Sequence, residues 1–128
     1  MKILLDTNAV LWWFADSPTI PDHIEALIDD PANTILVSAA SVWEICTKVR
    51  IGKLPSGRAL CEDFGGYLQR NHFEPLSITI EHGRLAGRME GTHKDPFDRM
   101  LAAQALIEDV PIITNDAAFV GFGVKVVW

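Results

Sequence analysis

A chain of 128 residues, 48% hydrophobic and 22% charged, fits one core of the usual ~100–200 residues and is too apolar to stay disordered. Seventeen acidic against eleven basic residues give a net charge of −6, the reverse of the basic footprint by which a protein neutralises phosphates, so a polyanionic substrate has to be met by a local basic patch or by metal cations. The longest apolar run, Ala9 to Ala15, is far short of the ~20 residues that span a bilayer, and Asp6 interrupts the place where a signal peptide carries its apolar centre, so a cytoplasmic protein without membrane contact is expected.

Ile3-Leu4-Leu5 is a short apolar run ending at Asp6-Thr7-Asn8, the pattern of a buried strand followed by a helix cap. The helix that follows carries Trp12, Trp13 and Phe14, and two adjacent Trp residues on a helix leave one facing outward, a hint of an interface. Pro21 and Pro31 bracket a second helix with Ile24, Leu27 and Ile28 at helical spacing. Thr34 to Val37 is the next strand; Ser38 or Ser41 can cap a helix to about Arg50, and Gly52 is placed to stop it. A weaker helix is expected over Arg58 to Gln69, broken in propensity by Gly65-Gly66. Phe73 to Ile78 reads as an edge strand because Pro75 cannot donate to a ladder on both sides. Thr79 opens a helix to about Met89, and Asp95-Pro96 opens a strong one to Glu108. Pro111 to Thr114 is a strand, Asp116 to Phe119 a short turn or helix, and Val124 to Val127 a last strand. Cys46 and Cys61 lack the spacing of a zinc site or a disulfide framework and are expected to be packing residues.

Strands alternating with helices, with no repeat or linker between them, predict an α/β fold: one domain over residues 1–128 with a parallel sheet of about five strands covered on both faces. Such sheets place their sites outside the carboxyl ends of the strands. Asp6 follows the first strand and Asp116 the fourth, and the helices bearing Glu44 and Asp98 begin at the same rim. Clustered carboxylates raise one another's pKa unless a cation intervenes. With no Cys or paired His among the ligands, the ion expected is hard, Mg²⁺ or Mn²⁺, and its bound water can attack a phosphodiester.

Asp6-Thr7-Asn8-Ala9, Glu44 in Ser41-Val42-Trp43-Glu44-Ile45, Asp98 in Asp95-Pro96-Phe97-Asp98-Arg99-Met100-Leu101-Ala102, and Thr114-Asn115-Asp116 together resemble the PIN-domain ribonucleases, and among them the VapC toxins of type II toxin-antitoxin systems. The resemblance runs from Met1 to about Phe119. It implies a cytoplasmic Mg²⁺-dependent endoribonuclease, a homodimer, held inactive by a cognate antitoxin. It implies that Asp6, Asp98 and Asp116 hold metal directly or through water, that Glu44 completes the acidic set, and that Asn8, Thr114 and Asp95 support it, with Thr114 orienting the last Asp. RNA contact is expected from Lys48, Arg50 and Lys53 and from Arg99 beside the acidic helix start.

Each acid also has an ordinary role. Asp6, Asp95 and Asp116 can cap the helices that follow; Glu44 can close a capping box with Ser41 and pair with Lys48; Asp98 sits where a helix dipole welcomes negative charge. His93 can assist a metal or a proton transfer but shows no partner spacing. Two other classes stay open: a haloacid-dehalogenase-like phosphatase, which wants a second Asp where Asn8 stands, and a catalytically silent partner-binding domain.

Overall fold

The computed structural model describes every residue from Met1 to Trp128. Five strands, β1 (Lys2–Leu5), β2 (Thr34–Ser38), β3 (Glu74–Leu76), β4 (Ile112–Ile113) and β5 (Val126–Val127), form one sheet in the order β3-β2-β1-β4-β5. All four pairings are parallel. The helices are α1 (Thr7–Phe14), α2 (Asp22–Asp29), α3 (Ala39–Arg50), α4 (Arg58–Glu62), α5 (Phe64–Arg70), α6 (Ile80–Arg88) and α7 (Pro96–Glu108), with 3-10 turns at Pro55–Gly57 and Ala117–Phe122. None is long and apolar enough to cross a membrane.

Successive side chains of a strand point to opposite faces, and the core divides accordingly. Ile3, Leu5, Ile35, Val37 and Ile113 pack on one face with α1, α2, α4 and α5. Leu4, Leu36 and Ile112 pack on the other with Leu101, Ala102 and Ala105 of α7. Because both faces are covered, these strands read as unbroken apolar runs rather than as alternating ones.

The chain builds outward from β1 through β2 to β3, then returns to add β4 and β5 on the other side of β1. The boundary between β1 and β4 is therefore the topological switch point, where crossovers leave in opposite directions and open a crevice at the carboxyl ends. Buried polar contacts set the two helices that flank this crevice. The Ser38 hydroxyl caps α3 by accepting from the Ala40 N–H, and donates to Gln104 of α7. Gln104 in turn donates to the Ser77 carbonyl and reaches His82 Nδ1. Helices α3 and α7 are thereby fixed to β2 and to each other.

Local differences from the sequence expectation have physical reasons. The helix over 58–69 breaks at Asp63 rather than at the glycines. Gly66 instead lets the Asp63 carboxylate lie against α5, where an added Cβ would collide with it. Ser38, not Ser41, caps α3, so the capping box with Glu44 does not form. Strand β3 is confined to three residues at the sheet edge, around Pro75. Gly52, at φ +79°, ends α3 as expected. Trp12 and Trp13 are both half-buried, tilted against Trp128 and Phe73 respectively, and Trp13 Nε1 donates to Asn71. Neither leaves a bare aromatic face.

Candidate active site

Asp6 stands at the carboxyl end of β1 and caps α1. One carboxylate oxygen accepts from the Ala9 N–H at 2.7 Å and the other from the Thr114 hydroxyl at the end of β4. Thr114 is completely buried. Its oxygen also accepts from the Asp116 N–H at 3.0 Å, so a single hydroxyl couples the two acids that close the switch point. Asp116 caps the following 3-10 turn through the Ala118 N–H. Thr114 thus orients the carboxylate of Asp6 as well as the backbone of Asp116.

Across the crevice, Asp98 lies in the first turn of α7 and meets His93 Nε2 at 2.9 Å. Asp95 caps that helix, accepting from the Phe97 and Asp98 N–H groups. Its carboxylate is spent on backbone, and Asp98 is the acid of this helix whose charge reaches Asp6. Glu44, only 6% exposed, pairs through one oxygen with Lys48; the other oxygen is buried with no partner at all.

Electrostatics bring the two sides together. Burial pushes the Asp6 carboxyl up from 3.8 to about 6, and the charges of Asp98 and Asp116 add to the rise against the hydrogen bonds from Thr114 and Ala9. Burial likewise raises Asp98; the His93 contact opposes it, while the charges of Asp95 and Glu44 push the same way. Asp6 therefore feels the charges of Asp98 and Asp116, and Asp98 those of Asp95 and Glu44. Desolvated like charges of this kind are what a cation relieves. No group of three carboxylates lies close enough together to hold an ion by itself, so a hard ion bound here would have to keep several of its waters. The unpartnered Glu44 oxygen is the clearest sign that positive charge belongs here, because a buried carboxylate oxygen without a donor is costly.

Two expected residues take other positions. The Arg99 guanidinium is bonded to the carbonyls of Ala86, Met89 and His93. It fixes the segment that carries His93 and is not free to meet RNA. Asn8 is exposed on α1 and lines an apolar groove of about 450 Å³ with Leu11, Trp12, Leu54 and Tyr67. Lys48 is engaged by Glu44, which leaves Arg50 and Lys53 as the exposed bases of that stretch.

Three features have contacts that the sequence did not disclose. Thr7 and Ser41 share a buried hydroxyl–hydroxyl contact at 3.0 Å that ties α1 to α3. His93, an orphan in sequence, finds both Asp98 and an edge-on Phe122. Trp43, 61% exposed, packs edge-on to Phe97 at 4.8 Å and sets an aromatic wall beside Glu44 and Asp98. Adjacency to the motif acids was the available clue for Trp43 and Phe97. The larger hollows, of about 530 and 570 Å³, are lined by residues such as Thr34, Glu74, Lys2 and Lys125 at the opposite, amino ends of the strands and contain none of the four acids.

The family model of the PIN domain matches residues 3–124. Over 61 residues the chain is 39% identical to Ribonuclease VapC16 of Mycobacterium tuberculosis (strain ATCC 25618 / H37Rv), a stretch that makes up 48% of this chain and 43% of that protein, so less than half of the relative's length is matched. Among solved structures, VapBC2 from Rickettsia felis bound to a DNA fragment from its promoter superposes with a TM-score of 0.71 at 20% identity, covering 100% of this chain and 99% of that one. VapBC-1 from nontypeable Haemophilus influenzae gives 0.67 at 18% identity, over 99% and 97%. At such identities these two likenesses concern the fold.

Proposed function

The chain belongs to the PIN-domain family, and on that premise we propose that it is a divalent-metal-dependent endoribonuclease of the VapC toxin type, acting as one domain over residues 1–128 and restrained by a small cognate antitoxin. The observation that carries the proposal is the convergence of Asp6, Glu44, Asp98 and Asp116 at the switch point, with a raised Asp6 and an orphaned Glu44 oxygen. The ribonuclease named among the relatives supports the reaction class, and the VapBC neighbours support an antitoxin partner.

In this reading Asp6, Asp98 and Asp116 hold Mg²⁺ or Mn²⁺ directly or through water, and Glu44 completes the negative shell. The ion, when bound, supplies positive charge to the phosphate oxygens and a water acidic enough to attack phosphorus. Thr114 keeps the Asp6 carboxylate aimed into the cleft. His93, held against Asp98 on a segment that Arg99 fixes, favours the ionised form of that carboxylate. Arg50 and Lys53, in a chain of net charge −6, supply the local bases for the RNA backbone. The groove beside Asn8, Leu11 and Trp12 offers apolar walls to an antitoxin segment.

The test is cleavage of a mixed single-stranded RNA by the purified protein in Mn²⁺ or Mg²⁺, with EDTA and a generic phosphomonoester as controls. The proposal expects internal RNA cuts that stop in EDTA and no phosphomonoester turnover. Turnover of the phosphomonoester would favour the phosphatase reading, and no hydrolysis of either, with no response to metal, would favour a silent domain.

A further inference from the structure

Outside the acid cleft the most unusual contact is between the two cysteines. Cys46 lies two residues beyond Glu44 on α3, Cys61 lies on α4, and their sulfurs are 2.7 Å apart across a sequence separation of 15. A disulfide spans about 2.05 Å, so the two free thiols are direct neighbours with nothing between them and need only a small adjustment to join. Both residues are only partly buried, so a small reagent can reach them. The connection between α3 and α4 packs closely on α3, since a Cβ added at Gly57 would press on Val49, Leu54 and Ile45. The loop between the two sulfurs contains Lys48, Arg50 and Lys53, the basic stretch beside the cleft.

We propose that Cys46 and Cys61 are a redox-modification site, at which a low-molecular-weight disulfide such as oxidised glutathione joins the two sulfurs and clamps the basic loop between α3 and α4. Burial, the adjoining Cys46 sulfur and the Glu62 charge push the Cys61 thiol up to about 12, which makes Cys46 the attacking sulfur. In the first step the Cys46 thiolate forms a bond to one glutathione sulfur, the glutathione disulfide breaks, and one glutathione leaves as thiolate. In the second, Cys61 gives up its proton to solvent and attacks the Cys46 sulfur of the mixed disulfide, releasing the second glutathione. The two cysteines lose two electrons and two protons, and one glutathione disulfide becomes two glutathione thiols. This inference does not depend on the nuclease reading, since thiol chemistry and acid-site chemistry use different residues.

The experiment treats the purified, reduced chain with millimolar oxidised glutathione, removes the reagent, and counts free thiols by maleimide labelling and intact mass. The expected product is monomeric, lighter by two hydrogen atoms, closed to maleimide, and restored by a reducing agent. Closing a loop of this size constrains the unfolded chain, so the oxidised protein should melt about 10 °C above the reduced one. Cys61→Ser should stop at a glutathione adduct on Cys46 and gain no such stability. Two labelable thiols, a persistent mixed disulfide or a disulfide-linked dimer from the wild-type chain would each overturn the proposal, and so would an oxidised monomer that melts no higher than the reduced one.

Discussion

On the β1–β4 side of the cleft, Asp6 and Asp116 are held by donors that belong to strand ends and helix starts, the Ala9 and Ala118 N–H groups and the buried Thr114 hydroxyl. On the α3–α7 side, Glu44 and Asp98 lean on the side chains of Lys48 and His93, which are 46% and 30% exposed. The first side is preset by the backbone, whereas the second can exchange its partners. On the proposed function, an ion in the cleft would meet a fixed pair of carboxylates and would displace or share the partners of a movable pair. In the proposed reading, rigid donors at one wall and replaceable ones at the other would let a cation bind without requiring the metal-free protein to tolerate all four charges unrelieved.

The comparison breaks most sharply at Thr114. Thr114→Val removes the donor to Asp6 and the acceptor for the Asp116 N–H inside a fully buried site. Unsatisfied buried groups cost about 1–3 kcal/mol, and loss of a residue that orients a metal ligand costs about 10–100-fold in affinity or rate. The account expects both losses, seen as a lower Tm and slower RNA cleavage, with Thr114→Ser close to wild type. A Val variant with unchanged cleavage would show that the wall need not be preset.

A smaller effect is expected on the movable side. Glu44→Gln removes a half-exposed ion pair with Lys48, which contributes at most about 1 kcal/mol, and also removes one of the charges that raise Asp98. Metal-free melting should therefore stay within about 1 kcal/mol of wild type, while the Tm gained on adding Mn²⁺ should shrink. Equal gains in the two proteins would take Glu44 out of the site.

The smallest effect belongs to His93. Its contact lowers a raised Asp98, so in His93→Ala the Asp98 carboxyl should hold its proton to higher pH. The acid limb of the cleavage rate should then move upward in pH, with the rate at alkaline pH nearly unchanged. A limb that stays in place would separate His93 from Asp98 function.

The α/β order and the strand positions were readable because strands covered on both faces are apolar runs, and because Asp6, Thr79 and Asp95 mark helix starts by their capping chemistry. The break at Asp63 was not readable, since propensity points to Gly65-Gly66 while a side-chain packing contact decides. Within the site, Asp6 and Asp116 announce themselves by standing just after strands, whereas Glu44 and Asp98 lie inside helices and are marked only by the motifs around them. Their partners do not: the Thr114–Asp6 bond joins residues 108 apart and the Ser38–Gln104 bond residues 66 apart, and neither leaves a local trace. Arg99 misleads for the same reason, because a base beside an acidic helix start looks exposed until three carbonyls from the preceding segment are seen to surround it.

The central claim, that Asp6 is an ionised ligand in a cation-relieved cluster, has a direct thermal test. A carboxyl raised from 3.8 to about 6 in the folded state contributes stability that is complete below the unfolded value and is lost as pH rises through the folded one. The size of that loss is about 3 kcal/mol. Metal-free wild type should accordingly lose stability across this window, and Asp6→Asn should not share that loss. Mn²⁺ needs the ionised form and binds the folded state, where an excess of a hundredfold over its dissociation constant adds about 2.7 kcal/mol. Melting curves of both proteins with and without Mn²⁺, at about pH 5 and about pH 7.5, read both signs at once. The account predicts a large Mn²⁺-induced rise in Tm for wild type at the higher pH, a smaller one at the lower, and none for Asp6→Asn at either. An equal rise in wild type and Asp6→Asn, or no rise in wild type at the higher pH, would contradict it.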